Sequence, residues 1–448
     1  AGAVIANVAG QTLTITTHNL VTNSASLQAL SGGTLTIDDA VNNFGGLIGA
    51  TTTDTTTPTV NLNGAVSGGT IYAIGAGAKV NLNASSSSAL LRVANGGVLS
   101  ATSGALTDDT VLVTTGGQAQ LKSVKLTNTS LSGGAANAIQ LANVNLDGTA
   151  AANTISGYVA AIGGSPMFLG GSLVDNGIFT LASGVYLYTY GGAALSGRGK
   201  ITMNAGQSTF SAGISSSDPD DLAFTNAATI NGSGSLVSMQ LVNTGKIASD
   251  AGYTIALLTD DDIVNQGLLM ASGAGSTLWI DDSVNNGGGL ILAQSGGHVK
   301  ENGGLSGGTL TASAGFADLY NGASSVTMKA YAGGAISVLG GDVRGSALTA
   351  SGANSLISLS GGVSNSTLAT SSAGLIRVNG ATFYDDTINA GAQVLVQDGG
   401  QLTLEGALAN SGVLSVGDVN NSSVTTLTID GDVTLSGAGK LQLNPSNG

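Results

Sequence analysis

Paired carboxylates are the residues of this chain whose type and spacing best suit chemistry. Asp38 and Asp39, Asp108 and Asp109, Asp281 and Asp282, and Asp385 and Asp386 are adjacent pairs. Asp260, Asp261 and Asp262 form a run, as does the segment DPDD from Asp218. Two carboxylates flanking one bond could hydrolyse a glycoside, and clustered hard oxygens could hold calcium. Against catalysis, the pairs recur with the surrounding sequence, whereas a catalytic pair need occur only once. Against calcium, the G-G-x-G-x-D nonapeptide of calcium-binding β-rolls is missing. Solvated turn acids are therefore the first reading. Calcium at Asp38, Asp39, Asp260, Asp261, Asp262, Asp281, Asp282, Asp385 or Asp386 is the second. The two histidines, His18 and His298, lie far apart and read as solvated turn residues. They predict neither a His-based triad nor a histidine metal site. Neither a G-x-S-x-G elbow nor a P-loop occurs in a strand-to-helix context. The sequence thus predicts no enzyme and no cofactor beyond possible calcium.

The elements that carry these residues announce themselves by repetition. LVNTGKI from Leu241, IVNQGLL from Ile263 and SVNNGGGLI from Ser283 share a Val-Asn-x-Gly core. They recur about every 20 to 22 residues, too long for a heptad and too short for a paired-helix repeat. The segments SLISLSGG from Ser355, GLIRVNG from Gly374 and QVLVQDGG from Gln393 alternate apolar and polar residues, then stop at Gly. Alternation marks a strand with one face buried, and Gly supplies a corner. The prediction is a β-solenoid with coils of about 18–22 residues, each burying its apolar face against the next. Stacking then places Asn243, Asn265 and Asn285 over one another as a side-chain amide ladder.

Larger blocks are copied as well. TLTIDDAVNNFGGLIGA from Thr34 and TLWIDDSVNNGGGLILA from Thr277 share 13 identities in 17 positions. LLRVANGG from Leu90 is echoed by LIRVNGA from Leu375. One continuous solenoid over 1–448 is expected, with approximately 32–140 resembling 275–420 and residues 141–274 as intervening coils.

Composition narrows the function. Charged residues make up 8% of the 448 residues, so most of the surface is uncharged. With 71 Gly but 4 Pro the chain is not collagen. Its 42% hydrophobic content excludes a disordered linker. The net charge of −14, with 12 Lys plus Arg, excludes a nucleic-acid footprint and disfavours anionic membranes. No apolar run approaches the roughly 20 residues of a membrane-spanning helix. With no Cys there are no disulfides. No signal peptide is recognisable at the N-terminus, and its Ala-Gly start is compatible with prior cleavage.

LSGRGKI from Leu195, INGSGSL from Ile230 and LSGAGKL from Leu435 alternate with NTGKI at Asn243 and NSGVL at Asn410. In these phrases the chain resembles the passenger repeats of bacterial autotransporters and filamentous-haemagglutinin-like adhesins. That resemblance implies a right-handed parallel β-helix, exported and displayed at the bacterial cell surface. It departs from the family in ending at LQLNPSNG, without a C-terminal barrel, and in lacking a recognisable haemagglutinin-type secretion domain.

Two function classes follow. In the first, the chain is an adhesin passenger that presents contact surfaces to surface glycans or proteins. The stripe Tyr186, Tyr188 and Tyr190 is the best such surface, since alternation puts all three on one side of a strand. Trp279, standing where the copied segment has Thr36, is a second lead and is expected to face outward or into a local contact. In the second class, the chain is a self-assembling subunit of an extracellular fibre or sheet, its partner another copy of itself. The absence of a recognisable cap at either end motivates this reading. A glycan-processing β-helix enzyme is a distant third.

Overall fold

A computed structural model describes residues 2–52, 54–206, 211–217, 222–418 and 423–444. The DPDD segment from Asp218 and Pro445 lie outside them. The fold is an all-β parallel β-solenoid of about 20 turns, with no helix among the described residues. The chain divides into two compact units, Ala1–Ile230 and Asn231–Gly448.

In the first unit a coil is three short strands and three corners. Ser26–Leu30, Thr34–Ile37 and Val41–Asn42 make one coil, and Leu47–Thr51, Thr59–Leu62 and Val66–Ser67 make the next. Each strand pairs in parallel with its counterpart one coil away: Ser26 with Leu47, Thr34 with Thr59, Val41 with Val66. Alternation within each strand decides which side chains enter the core. Leu27, Ile48, Ile71 and Leu91 stack in one inward column, and Leu35, Val60, Val80 and Leu99 in another, all at 6% exposure or less. Each fully buried Leu or Ile contributes about 1.5–3 kcal/mol of transfer free energy. A coil therefore draws its stability from a few such residues and from pairing on both sides.

The second unit repeats the plan. Leu268–Ser272, Thr277–Ile280 and Val284–Asn285 form one coil, and Leu290–Gln294, His298–Glu301 and Leu305–Ser306 the next. The copied segments take the same local form. Thr34–Ile37, Val41–Asn42 and Leu47–Thr51 in one unit match Thr277–Ile280, Val284–Asn285 and Leu290–Gln294 in the other. Some coils exceed the predicted 18–22 residues: Tyr186 pairs with Gly213, and Leu195 with Asn226. Strands also fuse across corners, as in Leu375–Ile388 and Gln393–Asn410, whose registers shift where the corner bends.

The phrases Asn-x-Gly and Leu-Ser-Gly-x-Gly alternate for a steric reason. Asn410 accepts the Gly412 amide on its side chain at 3.0 Å, and its backbone carbonyl accepts the Gly439 amide at 2.9 Å. A Cβ on Gly437 would stand 2.1 Å from that same carbonyl, and Gly437 has φ +99. The second phrase thus lies directly on the corner made by the first, and only glycine fits there.

Candidate functional site

The acid pairs are structural clamps between coils. In the copied segments the two members have different partners. Asp38 accepts the Asn63 amide group at 2.8 Å and Asp281 that of Asn302 at 2.8 Å, each one coil onward. The second member reaches back one coil. Asp39 accepts the backbone amides of Thr17 and His18, and Asp282 those of Thr259 and Asp260. Asp108 takes the Asn128 side chain at 2.6 Å, Asp109 the Ala89 amide at 2.7 Å, and Asp385 the Ala407 amide at 2.8 Å. Hydrogen bonds from Asn63 and Thr16 hold Asp38 below its ordinary value, and the Thr17 amide does so for Asp39. These are corner acids with defined partners, more specific than solvated turns. Asp260, Asp261, Asp262, Asp281 and Asp282 line one open depression of the second unit. Among the described residues no three acids or histidines converge as a metal cage.

Among the described residues four carboxyls are wholly interior, a feature the sequence reading missed. Asp109, Asp175 and Glu301 are 0% exposed and Asp386 is 2% exposed. Burial pushes Asp109 up to about 6, Glu301 and Asp386 up to about 7, and raises Asp175. Glu301 occupies an inward strand position, in register with Ile280 and Leu319, and accepts the Gly304 amide. Asp386 ends a column in which Val326 donates to Ser346, Ser346 to Ser366, and Ser366 to Asp386, at 3.1, 3.1 and 2.8 Å. Asp109, Asp175 and Glu301 each keep one buried oxygen without a hydrogen-bond partner. The signal that could have found Glu301 is the alternation of HVKE, which puts Glu on the same side as Val299.

The amide ladder requires one correction. Asn243 donates to Asn265 at 2.8 Å, and Asn265 donates to Asn286 at 2.6 Å. Asn285, predicted as the third rung, is exposed. The strand register pairs Ile263 with Val284, one residue off the alignment of the Val-Asn phrases, so the second Asn of the pair turns inward. Asn23 and Asn43 form the equivalent contact in the first unit, at 2.6 Å.

The tyrosine stripe divides into two parts. Tyr186, Tyr188 and Tyr190 face outward, while Val185 and Leu187 are fully buried and Thr189 nearly so. Tyr190 is held: its ring lies where a Cβ on Gly170 would come within 2.4 Å, and its hydroxyl donates to Asn145, two coils back, at 2.9 Å. Tyr72 lies likewise over Gly49, and its hydroxyl accepts from the Gln28 side-chain amide two coils back. A Tyr-over-Gly clamp thus spans three coils. Tyr186 and Tyr188 remain half-exposed, with ring centroids 6.1 Å apart, and Phe168 joins Tyr188 at 5.9 Å. Phe168 was missed because its tie to Tyr188 is the coil register, which pairs the two residues. Lys125 and Asp147 form an ion pair on the same sheet, in which Lys125 holds Asp147 down to about 2.

The histidines differ from each other. His18 is an exposed corner residue with φ 58. His298, expected in a turn, lies instead in the strand His298–Glu301, with Nε2 2.8 Å from Asp318 and its ring 6.3 Å from that of Phe316. Trp279 faces outward, as its place in the copied segment suggests, and is half-buried.

No protein-family model and no curated protein matches the sequence. Among solved structures, the chain is similar to the crystal structure of a hyper-glycosylated TibA fragment modified by TibC, at 16% identity, over 84% of this chain and 99% of that one, with a TM-score of 0.23.

Proposed function

We propose that this chain is a non-enzymatic, extracellular surface solenoid that acts in adhesion, with the Phe168–Tyr188–Tyr186 cluster as a contact surface. That cluster is the observation that carries the reading. Three aromatic rings stand half-exposed on a parallel sheet whose backbone fixes their spacing. Aromatic side chains give large contact area at low entropic cost, and tyrosine adds a polar tip. The acid pairs, the best catalytic candidates in the sequence, are occupied by backbone amides and asparagines of neighbouring coils. The resemblance of the Asn-x-Gly and Gly-x-Gly phrases to passenger repeats supports surface display.

The test is attachment of beads coated with the whole chain to an epithelial cell monolayer. Beads carrying the Tyr186→Ala/Tyr188→Ala chain should attach several-fold less, with unchanged circular dichroism. Equal attachment by wild type and variant would remove the cluster from the contact surface. Negative-stain images showing ordered fibres of the chain alone would favour assembly over adhesion.

A further inference from the structure

The second unit carries an outward patch distinct from the tyrosine cluster. Strands Thr277–Ile280, His298–Glu301 and Phe316–Leu319 pair in register, so Thr277, His298 and Phe316 form one outward row and Trp279, Lys300 and Asp318 the next. Small side chains bound the patch on both sides. Ala256 is in register with Trp279, and Ala335 and Ser337 with Phe316 and Asp318. The chain's sole Trp, one of its two His and a Phe thus stand on three successive coils of one outward face. Phe316 is 51% exposed, and the side chains of His298 and Asp318 are 30% and 21% exposed.

We infer that this patch binds a neutral saccharide chain lying along the stacked coils. Its charges cancel, since Lys300 stands in register beside Asp318 and the His298 imidazole is tied to the same carboxylate. Neither a polyanion nor a polycation gains from it, and the net charge of −14 repels polyanions further. Flat ring faces beside a fixed carboxylate, imidazole and ammonium match a pyranose, which has an apolar C–H face and a rim of hydroxyls. The carboxylate accepts from hydroxyls, and the ammonium donates to them. Rungs spaced about 4.8 Å apart set successive side chains at close to the length of one sugar ring. This site does not depend on the role of Tyr186 and Tyr188.

Trp279 supplies the reporter, because all indole emission of the chain comes from this patch. The whole chain is titrated with cellohexaose, mannohexaose and chitohexaose, with hexagalacturonate as the charged counterpart. At least one neutral hexaose should shift the emission saturably. Phe316→Ala and Asp318→Asn should each weaken that binding about tenfold or more, while Tyr188→Ala leaves it unchanged. Both variants alter outward side chains, and unchanged melting curves separate lost binding from lost fold. Three results would overturn the inference: no saturable shift with any neutral hexaose up to about 10 mM, equal binding of hexagalacturonate, or neutral binding that survives Phe316→Ala. A sugar-independent, concentration-dependent shift abolished by Phe316→Ala would make the patch a contact between copies and overturn it as well.

Discussion

Replacing Asp175 by Asn should make the first unit more stable at neutral pH. Asp175 and Asn410 do the same job in different coils. Each accepts the amide two residues on through its side chain, at 2.9 and 3.0 Å, and each accepts a glycine amide of the next coil through its carbonyl. Asn410 also donates through Nδ2 to the Lys440 carbonyl at 3.0 Å. An ionised Asp175 has no proton to donate, and its Oδ2 is buried without a partner. Burial accordingly raises Asp175 above its ordinary 3.8. Leaving such a group unsatisfied costs about 1–3 kcal/mol, so Asp175→Asn should gain an amount of that order at pH 8. Because the folded value is raised, the fold favours the protonated acid. Its cost is absent below the unfolded value near pH 4 and grows as pH rises through the folded value. The gain should therefore shrink on acidification and vanish near pH 4. A solenoid opens coil by coil, so the assay is hydrogen exchange of the amides around Gly177 and Gly199. Protection in the variant should rise by roughly 5- to 150-fold at pH 8, corresponding to that energy range. Equal protection at pH 8, or a gain of the same size at pH 4, would refute the reasoning.

The other interior acids extend this to the whole chain. Asp109, Glu301 and Asp386 titrate at about 6, 7 and 7 when folded, so stability should be highest near pH 4 to 5 and fall as pH climbs toward 7, then level off. Glu301→Gln should remove up to about 3 kcal/mol of that fall, read as a smaller difference between melts at pH 5 and pH 8. Asp147 acts in the opposite sense, because Lys125 holds it down to about 2; its contribution is lost as pH drops from about 4 toward 2, and Lys125→Ala should flatten that acid limb. Gly170→Ala should evict the Tyr190 ring and break its bond to Asn145, seen as faster exchange in the coils around Asn145 and Tyr190 and as a changed tyrosine near-ultraviolet signal. Asn265→Ala removes the middle rung of the Asn243–Asn286 ladder and should cost about 1–3 kcal/mol, whereas Asn285→Ala, at the exposed neighbour, should cost less than about 0.5.

Much of the fold was legible because a solenoid is a local code. SLISLSGG and QVLVQDGG show their alternation directly, and the 13-in-17 identity from Thr34 and Thr277 reappears as the same strand lengths. What escaped is what depends on register between coils. Asn285 looked like a rung because the Val-Asn phrases align in sequence, yet backbone pairing is offset by one residue there. Phe168 lies one coil before Tyr188, and no local pattern links them. Tyr190 reads like Tyr186 until Gly170, on the preceding coil, shows the gap its ring fills. The acid pairs were legible as architecture, since they repeat with it, but their division of labour was not. That the second member takes backbone amides of the coil behind while the first takes a partner of the coil ahead, Asp38 holding Thr16 behind it as well, is a property of the stack.

The corners explain how one position tolerates Asp, Asn and Ser. At each, the stack supplies a backbone amide that needs an acceptor, and Asp109, Ser366 and Asp386 all provide one oxygen. The acceptor requirement is shared; the donor requirement is not. Where a carbonyl of the preceding coil also faces the corner, as at Asn153, which accepts the Thr129 amide and donates to the Leu126 carbonyl, an amide satisfies both needs and a carboxylate satisfies one. An acid in that place stays satisfied only while protonated. Copying coils thus preserves the corner's acceptor while leaving its pH response free to vary from coil to coil, by single exchanges of Asp for Asn. A chain with Asp175→Asn, Asp386→Asn and Glu301→Gln together should keep every inter-coil contact and lose most of the decline in stability between pH 5 and pH 8. If that triple variant kept the decline at full size, the buried carboxyls would not be its source.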